Sequence, residues 1–558
     1  MRVPTLSRSL RLAAAALVLA LPSVRAQGTA TLPPSDLAYR DIDRLSELGF
    51  LDSVIVGQRP YSRREIGRIL RVARDRSTQL GERAQSQRLT DLELAIGDGI
   101  LHRLETRFSR EIDGDEEAVP VLQALDDVRL TVSYTDSERR GWLASHTRPL
   151  DATIGSLLPR RLGTQLVPGT TASLELAQRI EPTTWLAFSA RERAQYAWAK
   201  DTAERDGTAE MLLGSVRARL RNVALEVGRS QFAWSQTQDA GLFLASDAPA
   251  LDQISIASDE PFLLPWFLRR LGPTRATLLL ADLGPSRVRS RSKLLAYKVS
   301  VSPSRNAEIG ATFMNHFGGE GGRPSSFGDR LIDFLPFVDV FRTHNYYDST
   351  KALDVDSDKL LGVDGRLRLG GLRGVVLSGE LLIDDFDVHR LPKMLSGYGS
   401  QTASILFPRF VSPLLSLELT AKHMGILTYT HSALLSGLTT RGRLLGDELG
   451  PDAKAFGGRL AWQPTAAVQF GIDGRAAIYS NAEYQAFYED VERTHYVVQK
   501  VSRTTDELRD RAGASLLVQT DAGPAVTVRF VTERARNYRF EGYRHTESAG
   551  EVAIHLLF

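Results

Sequence analysis

Apolar and polar residues alternate one by one along most of this chain. Leu212, Gly214, Val216, Ala218 and Leu220 oppose Ser215, Arg217, Arg219 and Arg221, and Leu361, Val363, Gly365, Leu367 and Leu369 oppose Asp364, Arg366 and Arg368. The same pattern sets Leu415, Leu417, Leu419 and Ala421 against Ser416, Glu418, Thr420 and Lys422, and Val526, Val528 and Phe530 against Thr527 and Arg529. A two-residue period places successive side chains on opposite faces, so each stretch predicts a β-strand with one greasy and one polar face. Val552, Ile554, Leu556 and Phe558 carry the pattern to an aromatic final residue.

The start of the chain reads differently. Arg8 and Arg11 precede an apolar stretch from Leu12 to Leu21, and Val24-Arg25-Ala26 has the pattern of a cleavage site, so residues 1–26 read as a signal peptide. From Ser35 to about Phe108 the apolar residues fall at helix spacing. Leu37, Ile42, Leu45 and Leu48 predict one helix, ended by Gly49. Ser62-Arg63-Arg64-Glu65, just after Pro60, reads as a capping box that opens a second. Leu89, Leu92, Leu94, Ile96, Leu101 and Leu104 mark a third, with Gly97 and Gly99 arguing against helix in its middle. An acidic stretch from Glu111 to Glu117 then leads into the strands. The expected organisation is a signal peptide at 1–26, a helical bundle and linker at 27–117, and a β-barrel at 118–558.

Alternation alone suits a soluble sandwich as well as a membrane barrel. Three features favour the barrel. Charged residues occupy the polar face in rows, as a wet interior permits. The strands recur to the end of the chain without a second helical region, and the last one finishes on an apolar aromatic. Sixteen to eighteen strand candidates lie within the range of large outer-membrane barrels. The fold class expected is an all-β membrane barrel of about 18 antiparallel strands with a small N-terminal α-helical bundle. Apart from the signal, no apolar run approaches the roughly 18 residues that a spanning helix needs.

Composition narrows the chemistry. The chain has no cysteine, which excludes disulfides, thiolate metal sites, a cysteine nucleophile and a lipid-modified cysteine. Its formal net charge of +2 gives no indication of nucleic-acid binding. Of the 69 basic residues nine are lysine and 60 arginine. Such a bias fits either a GC-rich genome or a surface that grips carboxylates and phosphates with planar guanidinium groups.

Between Gly228 and Gly272 the alternation breaks, and Trp234, Asp239, Asp247, Asp259, Glu260 and Trp266 gather among prolines. Aromatic faces beside carboxylates suit sugar rings; the competing reading is that such aromatics form an interfacial belt or pack a plug. Gly318-Gly319-Glu320-Gly321-Gly322-Arg323-Pro324 lacks the Gly-Lys-Ser/Thr ending of a phosphate loop and reads as a turn or an inward-folded loop. Asp354, Asp356 and Asp358 open like a calcium loop, but Lys359 and Gly365 stand where glycine and glutamate are required, so an acidic turn is expected. Asp384 and Asp385 point to opposite faces of a regular strand and are expected to be solvated strand-end carboxylates. The histidines show no ligand spacing, and no Gly-x-Ser-x-Gly elbow occurs. No catalytic constellation, metal site or cofactor is expected.

Several local motifs share a likeness. Tyr39-Arg40-Asp41-Ile42-Asp43-Arg44-Leu45 and Arg59-Pro60-Tyr61-Ser62-Arg63-Arg64-Glu65-Ile66 lie in the helical part. The barrel adds Gly228-Arg229, Trp234, Gly241-Leu242-Phe243-Leu244-Ala245-Ser246-Asp247-Ala248-Pro249 and Gly319-Glu320-Gly321-Gly322-Arg323-Pro324. With the architecture, these resemble the Wzi-type capsule assembly family. The resemblance implies an eighteen-stranded outer-membrane barrel with a periplasmic helical bundle, and a lectin-like, noncatalytic role in holding exported or capsular polysaccharide at the cell surface. Trp234, Asp239, Asp247, Trp266 and Arg323 are the expected polysaccharide contacts. Expected partners are that polysaccharide, outer-membrane lipid and the barrel-assembly machinery, the last through the C-terminal strand ending in Phe558. The main alternative is a porin-like channel for small solutes or anions; an exported glycan-acting enzyme using Asp384 or Glu380 is a third reading.

Overall fold

A computed structural model describes residues 29–51, 54–83, 91–113, 120–138, 156–159, 161–164, 166–237, 241–322, 357–384, 399–431, 434–480, 484–488, 496–500, 505–521 and 523–558. The signal segment, Asp239 and Arg323 lie outside them, as do Asp354, Asp356 and Asp385.

The helices form where their capping chemistry places them. Leu37–Leu48 begins at Asp36, whose carboxylate accepts from Ala38 N, and stops at Gly49, whose φ of 93° is the left-handed cap a side chain resists. Arg63–Arg83 opens with Ser62 Oγ accepting from Glu65 N at 3.1 Å, one half of the expected box. Asp91–Arg107 runs straight through Gly97 and Gly99. Gly97 is there for contact, because a Cβ at that position would lie 2.2 Å from Phe50 Cζ. A glycine that lowers helix propensity thus lets a loop aromatic reach the helix backbone.

Eighteen antiparallel strands, from Val121–Thr135 to Arg544–Leu557, close into one barrel. Closure joins the two ends of the strand set: Val552 pairs with Val132, Ile554 with Leu130 and Leu556 with Val128. Every strand edge is thereby paired, which a hydrocarbon environment demands. Leu130, Val132, Val363, Val528, Phe530, Val552 and Ile554 point outward and are exposed, while Arg129, Asp364 and Glu551 are buried inside. Outward Trp185, Trp198, Trp462 and Phe410 stand near strand ends, as in an aromatic girdle.

The two rims differ. At one, strands are joined by turns as tight as Arg221-Asn222 and Arg305-Asn306; at the other, connections are long, 425–452 among them. The helical unit docks on the short-turn rim. Arg44 Nε donates to Gln463 Oε1 at 3.0 Å, Arg103 Nη1 to Ala466 O at 3.0 Å, and Arg409 pairs with Glu93. Leu414 and Ala466 of the rim pack against the helices' apolar cluster.

One strand departs from the sequence pattern. Leu212 does not share the outward face of Val216 and Leu220, because a bulge at Arg191/Glu192 shifts the register there. A bulge turns the residues beyond it to the opposite face. Leu212 is buried inside, packed with Leu162 and Ala250.

Candidate functional site

Inside the barrel the charged rows form a ladder of ion pairs. Arg191 reaches Asp127 at 2.6 Å and Glu175 at 3.4 Å. Arg217 reaches Asp259 at 2.9 Å and Glu226 at 3.1 Å, and Arg511 meets Glu533 at 2.9 Å. Each guanidinium fork bridges carboxylates from neighbouring positions, which a lysine could not do as well. Much of the arginine richness is therefore internal neutralisation of the wall.

Two segments enter the lumen from opposite rims and meet. Residues 54–60, between the first two helices, come from the short-turn side; residues 231–237 and 241–245 fold in from the other. Arg59 N donates to Ala233 O at 2.9 Å, and Ala233 N donates to Arg59 O at 3.1 Å. Three wall carboxylates fasten the junction. Glu308 accepts from Val56 N at 2.8 Å and from Gly57 N and Gln236 Nε2 at 2.9 Å. Asp364 accepts from Gln236 Nε2 at 2.6 Å and pairs with the fully buried Lys298. Glu380 accepts from Ser235 Oγ at 2.6 Å and from Gln236 N and Leu242 N at 2.9 Å. Buried carboxylates are tolerable only when donors surround them, and these three are so surrounded.

Toward the long-connection rim the lumen is not wet. Trp234, Leu242, Phe243 and Leu244 pack with Tyr429, Leu438, Leu445 and Leu449 of connection 425–452, against Leu279, Leu294 and Leu360 of the wall. The Phe243 ring lies so close to the wall that a Cβ at Gly362 would sit 1.9 Å from its Cζ. Tyr429 Oη donates to Leu242 O at 2.7 Å and accepts from Asp447 N at 3.0 Å, tying the two inward segments together. Burial pushes this phenol well above its ordinary range. The polar-lumen expectation fails here because loops long enough to fold inward bring their own apolar side chains.

On the short-turn side of the junction lies a polar cavity. Its walls include Arg40, Asp43, Arg44 and Glu47 of the first helix, Arg59, Gln236, and Arg366, Glu418 and Arg459 of the strands. Arg44 pairs with Glu47 at 3.0 Å, and Arg59 pairs with Asp43. Burial, together with the neighbouring Arg459, lowers the Arg40 guanidinium to about 9.

The expected sugar contacts fall in different places. Trp234 is 0% exposed, its ring edge-on to Phe232 at 6.3 Å, and its Nε1 has no partner among the described residues. Asp247 is half-buried on the same inward segment, where its carbonyl accepts from Gly163 N at 3.2 Å. Trp266, 87% exposed, stands at the opposite rim beside exposed Phe267. The structure brings Trp234 and Asp247 onto one segment and leaves Trp266 apart. Asp384, expected in solvent, is buried and accepts from Tyr429 N at 2.7 Å; the inward connection covers it. Asp358 is likewise buried rather than in an exposed turn. Among the described residues no group of three or more His, Asp or Glu is placed to hold a metal ion.

The junction residues Gln236, Lys298, Glu308 and Asp364 escaped detection in the sequence. For Lys298, Glu308 and Asp364 the only signal was a charge on a strand, which many wall residues share; Gln236, a neutral amide outside the strands, gave none.

Comparison with known proteins places this architecture. The family described as "Capsule assembly protein Wzi" matches residues 163–496, more than half of the chain. No curated protein matches the sequence. Among solved structures, Wzi, an outer-membrane protein involved in group 1 capsule assembly in Escherichia coli and described as a carbohydrate-binding β-barrel, is 14% identical with a TM-score of 0.63. That match covers 95% of this chain and 99% of Wzi. OprD from Pseudomonas aeruginosa is 11% identical with a TM-score of 0.43, covering 78% and 93% of the two chains. Acinetobacter baumannii OccAB1 is 10% identical with a TM-score of 0.42, covering 77% and 96%.

Proposed function

Because this chain belongs to the Wzi capsule assembly family, we propose that it binds exported polysaccharide at the outer membrane and helps assemble or retain it at the cell surface, without catalysis. The short-turn rim, with its helices, faces the periplasm in this reading, since outer-membrane barrels keep short turns on that side. The long connections, with Asp247, face outward. Phe558 and its strand engage the barrel-assembly machinery.

The observation that carries the reading is the meeting of two segments across the lumen at Arg59 and Ala233, under an apolar plug built around Trp234. A porin has to leave a continuous wet path, and this filling works against one. Glu380 and Asp384, the carboxylates of the enzyme reading, are engaged in holding inward segments and are buried away from any substrate.

Two measurements test the proposal. Immobilised protein should retain the producing cell's polysaccharide, and a deletion strain should shed it into the medium. Retention that fails in both assays removes the reading. Planar bilayers should stay electrically silent; steady single-channel steps would restore the channel alternative.

A further inference from the structure

Three arginines in the cavity beneath the junction have no partner among the described residues. Arg40, Arg366 and Arg459 make no hydrogen bond or ion pair there, although all three are half-buried. Asp41, the carboxylate beside Arg40, pairs with Arg103 at 2.9 Å, and the carboxylates facing the other two bond other groups. Arg459 is flanked in the sheet by Glu418 and Asp473; Glu418 accepts from Ser404 Oγ at 2.9 Å, and Asp473 faces Arg529 at 3.5 Å. Arg366 stands beside Glu308, which already accepts three donors at the junction. The lining holds Arg40, Arg44, Arg59, Arg366 and Arg459 against Asp43, Glu47 and Glu418, a balance of five minus three, or +2.

This imbalance differs from the ladder at Arg191, Arg217 and Arg511, where the guanidinium groups meet carboxylates. At neutral pH a half-buried arginine still keeps its proton, so such a cluster gains when an anion joins it. The remaining lining matters too. Ser378, Ser404, Ser416, Gln236 and Gln469 supply hydroxyl and amide groups of the kind that bond sugar hydroxyls. The space is partly open to solvent.

We infer that this cavity binds a carboxylate-bearing sugar of the uronate class, with Arg40, Arg366 and Arg459 gripping the carboxylate and the serine and glutamine side chains taking the hydroxyls. The sugar part rests on the polysaccharide reading above; the anion part rests on the unmatched charge alone. The cavity lies on the helix side of the plug, the periplasmic side in the reading above.

The test uses the whole protein in detergent and ligand-observed NMR with three probes: trigalacturonate, a neutral galactotriose and inorganic phosphate. Trigalacturonate should bind about tenfold more tightly than the neutral trisaccharide. R40Q/R459Q should weaken it about tenfold and R366Q about threefold, with heat-modifiable migration showing that the variants still fold. R459K should recover part of the loss, since charge remains while the fork is gone. Raising salt from ~50 to ~500 mM should weaken binding to the wild type more than to the double variant. Equal binding of acidic and neutral probes, or variants indistinguishable from wild type, overturns the site. Binding of phosphate with no binding of trigalacturonate overturns the sugar assignment. Polymer retention by cells tests the family-level reading by itself: retention without cavity binding overturns only the site, and cavity binding without retention overturns only that reading.

Discussion

Arg59 and Ala233 exchange both backbone hydrogen bonds in the middle of the lumen, although one enters from the helical unit and the other from the opposite rim. The Arg59 side chain is held within the helical unit, paired with Asp43 and stacked over Tyr39 at 4.7 Å. The closure is a strand-like contact between two segments that come from opposite rims. Main-chain pairing of this kind tolerates sequence change but not the loss of a donor.

Ala233→Pro removes the amide that donates to Arg59 O. The direct loss is about 1 kcal/mol, with a further 1–3 kcal/mol from the carbonyl left unpaired. Deuterium exchange by mass spectrometry should rise about tenfold in the peptides around Arg59 and Trp234 while the barrel strands stay protected. Unchanged exchange would show that the bridge contributes nothing to closure.

Glu380→Gln tests the latch on the inward segment. The carboxylate accepts from Ser235 Oγ, Gln236 N and Leu242 N, and an amide keeps its shape while replacing one acceptor oxygen with a donor. Charge-assisted bonds contribute about 1.5–3 kcal/mol each, so the segment should loosen measurably. Limited proteolysis should cut between Ser235 and Leu244 in the variant before any strand is lost. Equal resistance in both proteins would place the latch elsewhere.

The legible parts of the chain are those governed by a period or a cap. Leu37 to Leu48 with Gly49, and the outward faces of Val363, Val528 and Val552, were open to reading because one local rule decides each of them. The inward segments were not. Leu242-Phe243-Leu244 has no strand period, and its burial depends on Gly362 being present far along the chain to receive the Phe243 ring. Asp384 reads as a solvated strand end until Tyr429 is seen to cover it. Leu212 reads as lipid-facing because a bulge leaves no mark in the alternation of its own strand. Arg40, Arg366 and Arg459 look like any of the other arginines until their neighbours prove to be taken.

Acid should release the helical unit through Asp36. Burial opposes its ionisation, but the ion pair with Arg107 and the bond from Ala38 N together hold its carboxyl below the ordinary 3.8. A carboxyl whose folded value is lowered adds stability that is complete above the unfolded value and drains away as pH falls through the folded one. Protease sensitivity of the 37–107 region should therefore rise below about pH 3.8. Asp36→Asn should be less stable at neutral pH and show a flatter acid limb. An identical acid limb in the variant would assign the transition to other carboxylates.

Gly97→Ala sets helix propensity against packing. Alanine favours the helix by about 1 kcal/mol. The added Cβ, however, would meet Phe50 at 2.2 Å, and both Cζ and Cε2 of that ring lie too close for a small adjustment. Overpacking costs of about 1–3 kcal/mol should win. Urea-induced loss of helical circular dichroism should begin at lower denaturant in the variant. A stabilised variant would mean that Phe50 can leave the contact freely.

The outward face of the closing strand decides whether the barrel sits in hydrocarbon. Val552 is 46% exposed and pairs with outward-facing Val132 across the seam. In lipid, Val552→Arg should cost about 2–4 kcal/mol near the bilayer midplane, because a guanidinium must be drawn toward the headgroups. At a water-exposed position the same change would cost less than about 0.5 kcal/mol. Folding titrations into lipid vesicles separate these outcomes, with Ser133→Ala on the neighbouring inward position as the control. A variant that folds as well as wild type would place the apolar face of these strands against something other than the membrane.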